Sequence, residues 1–270
     1  MKEISYGLIL ANDLANSERA LELSRLVAPY VDGIKIGVTT ILDTGISLIK
    51  KVKELTGKTI IADFKVADIG FWNEEKKCWE GTNAKIVEKV IDAGVDYVIC
   101  HSIVGISSIQ ESIEVAHSKG SKVLTLPYMT HKGAELFFGH PVDINHVTEV
   151  LNKVAIKLSE EKLKRCKTIS DVIIILGDYL GVDGFIGPAN NPEILKRYRE
   201  FTDKEIFGPG IGRQMVSNLT PKDQMRIFYS ICGPRSAVII GSAIYASSDP
   251  SKVAKEFSIW RNKLVNKIGK

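Results

Sequence analysis

Long apolar runs are missing from this chain of 270 residues. None approaches the roughly 20 residues that a membrane-spanning helix needs. The opening MKEISYGLILAND carries charge too early and too often for a secretion signal. Cysteine is scarce: Cys78, Cys100, Cys166 and Cys232 form no C-x-x-C pair, and no histidine stands at zinc-finger spacing from them. The pattern predicts free thiols in a reducing compartment, and hence a soluble, cytoplasmic protein. The five histidines (His101, His117, His131, His140 and His146) show no H-E-x-x-H, so no metal site is expected. No G-x-S-x-G is present to raise a nucleophilic serine. No G-x-G-x-x-G follows the first strand, which counts against an open dinucleotide-binding sheet. Charge blocks are also absent. The net charge of +4 comes from 36 basic and 32 acidic residues spread along the chain, so no nucleic-acid arm is indicated. Such a balance describes a solvated surface and also suits a small anionic substrate. No internal repeat, low-complexity tract or linker divides residues 1–270, which read as one domain.

What is present is alternation. Hydrophobic residues make up 44% of the chain, enough for one large core. Eight short β-rich runs are apolar without a break, as in parallel strands covered on both faces. They are YGLILAND, VDGIKIG, TIIADFK, DYVICHS, SKVLTLPYM, DGFIGP, EIFGPG and AVIIGSA. Amphipathic helical patterns lie between them, among them SERALELSRLVAPYV, with Ser17 as its expected cap, and ILDTGISLIKKVKEL. Eight strand–helix units predict an α/β protein of the (β/α)8 TIM-barrel type, with an open doubly wound sheet as the alternative. Two segments exceed a minimal barrel: 70–81, GFWNEEKKCWEG with two tryptophans, and about 139–168. Both follow strands and are expected on the C-terminal face, as lids, oligomer contacts or decoration.

Active sites of such barrels form where the strands end. The first run ends at Asp13, the second reaches Lys35, and the third, IIADFKVADIG, carries Asp63, Lys65 and Asp68. Any one of these reads as a strand cap or a structural ion pair. Four on one rim fix one another's charge, each carboxylate favouring the ammonium form and each ammonium the carboxylate. Such a cluster can hold a proton donor beside a permanent negative charge. The turn GPGIGRQ, 208–214, has three glycines that let backbone approach an oxyanion, with Arg213 and Gln214 as donors. Its place after the seventh strand, where these barrels bind phosphate, favours a phosphate site over a plain turn.

With these residues in place the chain resembles the orotidine 5′-phosphate decarboxylase family, most closely its archaeal form. LILANDL, GIKIG and IIADFKVADI are similar to the family's first three strands, and MTHKGAE, FIGPANNPE, GPGIGRQ and VIIGSAIY to later ones. The resemblance covers nearly all of the chain apart from the two extra segments. It implies decarboxylation of orotidine 5′-monophosphate to uridine 5′-monophosphate in pyrimidine biosynthesis, without metal or organic cofactor. It further implies that Lys35, Asp63, Lys65 and Asp68 form the charged tetrad and that Lys65 protonates C6. Asp13 would bind the ribose, Thr130 the pyrimidine, and Pro209, Gly210, Gly212, Arg213, Gln214, Gly241 and Ser242 would surround the phosphate. Asp68 and Thr82 would reach the site of a neighbouring subunit, which implies a homodimer.

The chain departs from the family twice. A Gly-Arg pair after the eighth strand is replaced by Gly241 and Ser242, exchanging a bidentate charged donor for a hydroxyl. Arg213, or less directly Arg235, is the expected substitute. The spacing from Asp68 to Thr82 is lengthened by the tryptophan segment. Two alternatives follow. One is a magnesium-dependent sugar-phosphate lyase of the same superfamily, such as hexulose-phosphate synthase or ketogulonate-phosphate decarboxylase, which carry an acid in the region of Lys35. The other is a noncatalytic relative that binds a nucleotide or a partner protein.

Overall fold

The computed structural model describes residues 4–212 and 219–268. Eight parallel strands are formed among these residues: β1 (Gly7–Asn12), β2 (Gly33–Gly37), β3 (Thr59–Val66), β4 (Tyr97–Cys100), β5 (Lys122–Thr125), β6 (Gly184–Ile186), β7 (Glu205–Pro209) and β8 (Ser236–Ile240). They close in the order β1-β8-β7-β6-β5-β4-β3-β2, the barrel expected from the sequence and not the open sheet. Around it run α1 (Ser17–Val27), α2 (Ser47–Thr56), α3 (Thr82–Asp92), α4 (Ile106–Ser118), α5 (Ile169–Leu180), α6 (Pro192–Arg199), α7 (Pro221–Cys232) and α8 (Pro250–Ile268).

The unbroken apolar runs are split by strand parity. Leu8, Leu10, Ile34, Ile36 and Ile60 pack outward against the helices, in one large core. Ile9, Ala11, Ile61, Ile99, Leu124 and Ile239 point inward and fill the barrel. Side chains alternate along a strand, so Lys35, flanked by outward Ile34 and Ile36, is forced inside. Charge entering a barrel core has to be neutralised there.

The inner core is closed at the N-terminal end by a second polar group. Tyr97, Lys122 and Glu205 are the first residues of β4, β5 and β7. Tyr97 Oη donates to Glu205 Oε2 at 2.9 Å, and Lys122 Nζ donates to Glu205 Oε1 at 2.8 Å. Burial, reinforced by the Glu205 carboxylate, pushes the Tyr97 phenol well above its ordinary pKa, so it remains a donor.

Two local expectations are corrected. The cap of α1 is Asn16, whose Oδ1 accepts from the Arg19 N–H at 2.9 Å. Ser17 is the first helical residue, and its hydroxyl turns to the Thr40 carbonyl at 3.1 Å. The pattern ILDTGISLIKKVKEL is broken in two, a short helix Val38–Ile41 and then α2, by Gly45 at φ +74°, a conformation that ends helices.

The two extra segments share a design. Residues 70–81 rise after β3 as a hairpin in which Trp72–Asn73 pairs antiparallel with Cys78–Trp79, and the two indoles meet edge to face at 5.2 Å. Its ends close on each other: the Asn83 N–H donates to the Ile69 carbonyl and the Glu80 N–H to the Phe71 carbonyl. Residues 139–168 leave after β5, form helices Ile144–Lys153 and Glu160–Arg165, and then run along the outer wall. There Leu151, Ile156 and Leu163 join the outer core, which is why the segment lies against the ring. Its ends also close, through a Pro141–Thr168 bridge.

All four cysteines are free. Burial pushes the Cys100 and Cys232 thiols up to about 12 and Cys166 to about 11, so none of these three is a ready nucleophile. No helix among the described residues is long and apolar enough to cross a membrane.

Candidate active site

At the C-terminal ends of the strands a cavity of about 410 Å3 opens, a size suited to a small ligand. Its floor is the top of the inner core, Ala11, Ile99, Leu126, Ile186 and Ile239. One wall is the run Tyr128 to His131, which contains Thr130; the other is built from Pro209, Gly210, Gly241, Ser242 and Tyr245.

The remaining side carries a line of alternating charge. Lys35 Nζ donates to Asp13 Oδ1 at 3.1 Å and to Asp63 Oδ2 at 2.6 Å, and Lys65 Nζ donates to Asp63 Oδ1 at 2.7 Å. Its middle is buried and its ends are open: the side chains of Lys35 and Asp63 are 7% and 14% exposed, those of Asp13 and Lys65 41% and 39%. Burial works to strip Lys35 of its proton, but Asp63 and Asp13 outweigh it and hold its pKa above the ordinary value. Burial likewise opposes charge on Asp63, and Lys35 and Lys65 outweigh it, holding that carboxyl below its ordinary range. Both shifts have the same sense, two fixed opposite charges, with Lys65 presented to the cavity.

Local backbone makes this line possible. Gly37 pairs with Asp63 across β2 and β3, and a Cβ there would come within 2.7 Å of Asp13 Oδ1, so glycine leaves room for the carboxylate. The β3–β4 register shifts between Ala62 and Val66. Inside that bulge Lys65 has φ +46°, a left-handed conformation that a non-glycine residue adopts at a cost. The bulge re-aims the strand end so that Asp63 and Lys65 meet each other and the cavity.

The expected residues do not all converge. Asp13, Lys35, Asp63, Lys65, Thr130, Pro209, Gly210, Gly241 and Ser242 line the cavity. Gly212 stands just beyond it at φ +104°, its N–H donating to Gln224 Oε1 at 3.3 Å. Arg213 and Gln214 lie outside the described residues. Asp68 and Thr82 do not line this cavity; Asp68 faces a neighbouring groove with Gly70, Val104 and Ser107. The closed neck of the hairpin nevertheless keeps them side by side, since the residue after Thr82 bonds the residue after Asp68. Arg235 precedes β8, its carbonyl accepting from the Ile206 N–H at the start of β7, so it stands at the opposite end of the barrel. It is removed as a phosphate ligand.

Reading strand ends alone missed Tyr128, Met129 and Tyr245 as lining residues, while Ile211 lies within the 208–214 turn that the sequence marks for phosphate. Tyr245 was within reach, because Ser242–Tyr245 is one helical turn that starts at the strand end and residues three apart share a face.

Comparison with known proteins agrees with this geometry. The family model described as "Orotidine 5'-phosphate decarboxylase / HUMPS family" matches residues 7–257. An orotidine 5′-phosphate decarboxylase of Methanococcus maripaludis (strain S2) is 33% identical over 253 residues, covering 93% of this chain and 95% of the relative. That of Methanocaldococcus jannaschii is 33% identical over 256 residues, covering 95% and 99%. Among solved structures, the orotidine 5′-monophosphate decarboxylase of M. jannaschii in complex with the inhibitor BMP has a TM-score of 0.74 at 29% identity, covering 96% of this chain and 99% of that one. The Pyrococcus horikoshii enzyme gives 0.66 at 28% identity, covering 94% and 99%. A barrel of this register, with its charged line on β1 to β3 and a match over almost its whole length, belongs to the orotidine 5′-phosphate decarboxylase/HUMPS family.

Proposed function

We propose that the protein decarboxylates orotidine 5′-monophosphate to uridine 5′-monophosphate, a step of pyrimidine biosynthesis, as a carboxy-lyase without a metal or organic cofactor. The observation that carries this reading is the Asp13–Lys35–Asp63–Lys65 line at the cavity mouth. The pyrimidine lies against Thr130 with its C6 toward Lys65. The ribose meets Asp13, and the phosphate lies at the Gly210, Gly241 and Ser242 end, where Arg213 and Gln214 follow in sequence. Asp63 keeps its negative charge close to the substrate carboxylate and disfavours that bound anion. The C6–carboxylate bond breaks, CO2 leaves, and the electron pair stays on C6 beside the Lys65 ammonium. Lys65 gives its proton to C6 and is reprotonated from solvent. Fixed charges aimed at charge that develops in the reaction need no reorganisation, and each 1.36 kcal/mol of such differential stabilisation is about tenfold in rate.

The assembly belongs to the same proposal. Asp68 and Thr82 stand together away from their own cavity, which supports a homodimer in which each copy completes the other's site. We read residues 1–270 as one barrel domain with additions at 70–81 and 139–168, working in the cytoplasm, consistent with its free thiols. A magnesium-dependent sugar-phosphate reaction fits less well. The Lys35 ammonium sits between Asp13 and Asp63, where a divalent cation would have to be ligated. The test is to follow orotidine 5′-monophosphate absorbance with purified protein in EDTA. Loss of the orotate band, abolished by Lys65→Ala, is the expected result. A folded protein that leaves the band unchanged would overturn the reading.

A further inference from the structure

Asp68 lies beyond the last residue of β3, so no strand ladder fixes it. Both of its backbone polar groups are instead held by side chains from two ring helices. Asn83 on α3 accepts the Asp68 N–H at its Oδ1, 3.2 Å away. Ser108 on α4 donates its hydroxyl to the Asp68 carbonyl at 2.6 Å and accepts the Gly70 N–H at 2.9 Å. The two holders are tied together, because Asn83 Nδ2 donates to the Ser108 carbonyl at 2.8 Å and also to the Ser112 hydroxyl. Asn83 and Ser112 are fully buried, and Ser108 is nearly so. Beside them the Glu111 carboxylate, also fully buried, accepts the N–H groups of Phe71, Gly81 and Ala84 and so clamps the neck of the hairpin. Close approach makes the clamp rigid: a Cβ on Gly70 would lie 2.5 Å from Ser107 backbone, and one on Gly81 would strike the Glu111 carboxylate and the Ile69 carbonyl.

We propose that Asn83 and Ser108 are positioning residues that aim Asp68 away from its own cavity and into that of a second copy. This rests on the reading above that Asp68 serves the partner's site. Buried polar networks with every member satisfied specify one geometry, and buried groups left without partners are costly, so the backbone of Asp68 has one conformation available. The carboxylate is aimed through the main chain, and among the described residues its side chain is supported by the Ile69 N–H, 2.7 Å from Oδ1. The hairpin adds length between Asp68 and Thr82 without altering this, because Glu111 closes its neck.

A double-mutant cycle on the full-length protein separates aiming from mere stability. Ser108→Ala removes one hydroxyl and leaves a good helix former in α4. It is expected to lower kcat/KM for orotidine 5′-monophosphate about tenfold in the natural background and less than twofold in Asp68→Asn, a nonadditivity expected of coupled groups. Asn83→Ala is run in the same cycle and is expected to behave alike. Equal losses in both backgrounds, for either variant that melts as a folded protein, would overturn the proposal and leave the proposed function standing. An Asp68→Asn variant with unchanged kcat/KM would overturn it by removing the residue being aimed. Absence of turnover in the natural protein would fail the functional reading itself, and this proposal with it.

Discussion

The barrel has two polar clusters at its two ends, and both pair lysine with a buried carboxylate. At the N-terminal end, Lys122, Glu205 and Tyr97 come from the first residues of three strands and satisfy one another, with the Glu205 side chain only 4% exposed. At the C-terminal end, Asp13, Lys35, Asp63 and Lys65 stand where strands finish, and the last of them opens into the cavity. The residue types are nearly the same. One cluster is closed on itself and acts as a plug. The other is held open by a bulge and a left-handed lysine, and it presents the Lys65 side chain to the cavity. Barrels of this fold carry their chemistry at the C-terminal ends of the strands and gain stability at the other, so the open cluster is the one that the proposed function uses.

The comparison can be broken most directly at Lys65. Replacing it with alanine should reduce decarboxylation by about 10²- to 10⁴-fold, the range for a lost proton donor. It should change stability by no more than about 1 kcal/mol, since the group is more than a third exposed. Denaturant titration beside the absorbance assay reads both. The opposite result is expected at the plug. Lys122→Met leaves Glu205 as a buried carboxylate without its cation, and should cost about 3 kcal/mol by urea unfolding while kcat stays within about twofold. A fall in kcat there would show that the two ends are coupled.

The glycine end of the cavity sharpens the contrast. Among the described residues it carries neither lysine nor arginine, with Ser242 at the strand end. Arg213→Ala should therefore lower kcat/KM by about tenfold, the value of one charged hydrogen bond. Unchanged kinetics would remove Arg213 from the phosphate site. The smallest effect concerns pH. Asp63 has a folded pKa below its ordinary 3.8, so its stabilising charge is present above that value and is lost only as pH falls through the lower folded one. Lys35 has a folded pKa above its ordinary 10.5, so its contribution is complete below that value and is lost as pH rises through the higher folded one. The difference in melting temperature between the natural protein and Lys35→Met should thus be flat across the interval between those two ordinary values. A slope near neutrality would mean that the pair is not locked.

Much of this was legible in the sequence, for reasons that can be named. Unbroken apolar runs spaced by amphipathic helices require a covered parallel sheet, and Lys35 between two isoleucines has only the interior to enter. Asp63 and Lys65 follow from the same parity, although the bulge that lets them touch does not. The break at Gly45 and the cap at Asn16 were missed because local propensity permits more than one start and stop. Least legible was the relation between Asp68 and Thr82. Counting residues along GFWNEEKKCWEG separates them, and it takes tertiary bonds, among them those to Glu111 from the helix after α3, to bring the two ends of that segment together.

The closed necks have a consequence for the history of such a chain. At the second neck the Val142 N–H donates to the Lys167 carbonyl and the Ile169 N–H to the His140 carbonyl, and buried Asp171, held by Arg197, fixes the returning end by accepting the Lys167 and Thr168 N–H groups. Each addition leaves and re-enters the barrel at nearly one point, so its length is invisible to the catalytic geometry. Material can be gained, traded or trimmed beyond such a neck by ordinary insertion and deletion, provided the neck and, in 139–168, the Leu151, Ile156 and Leu163 contacts with the outer core are kept.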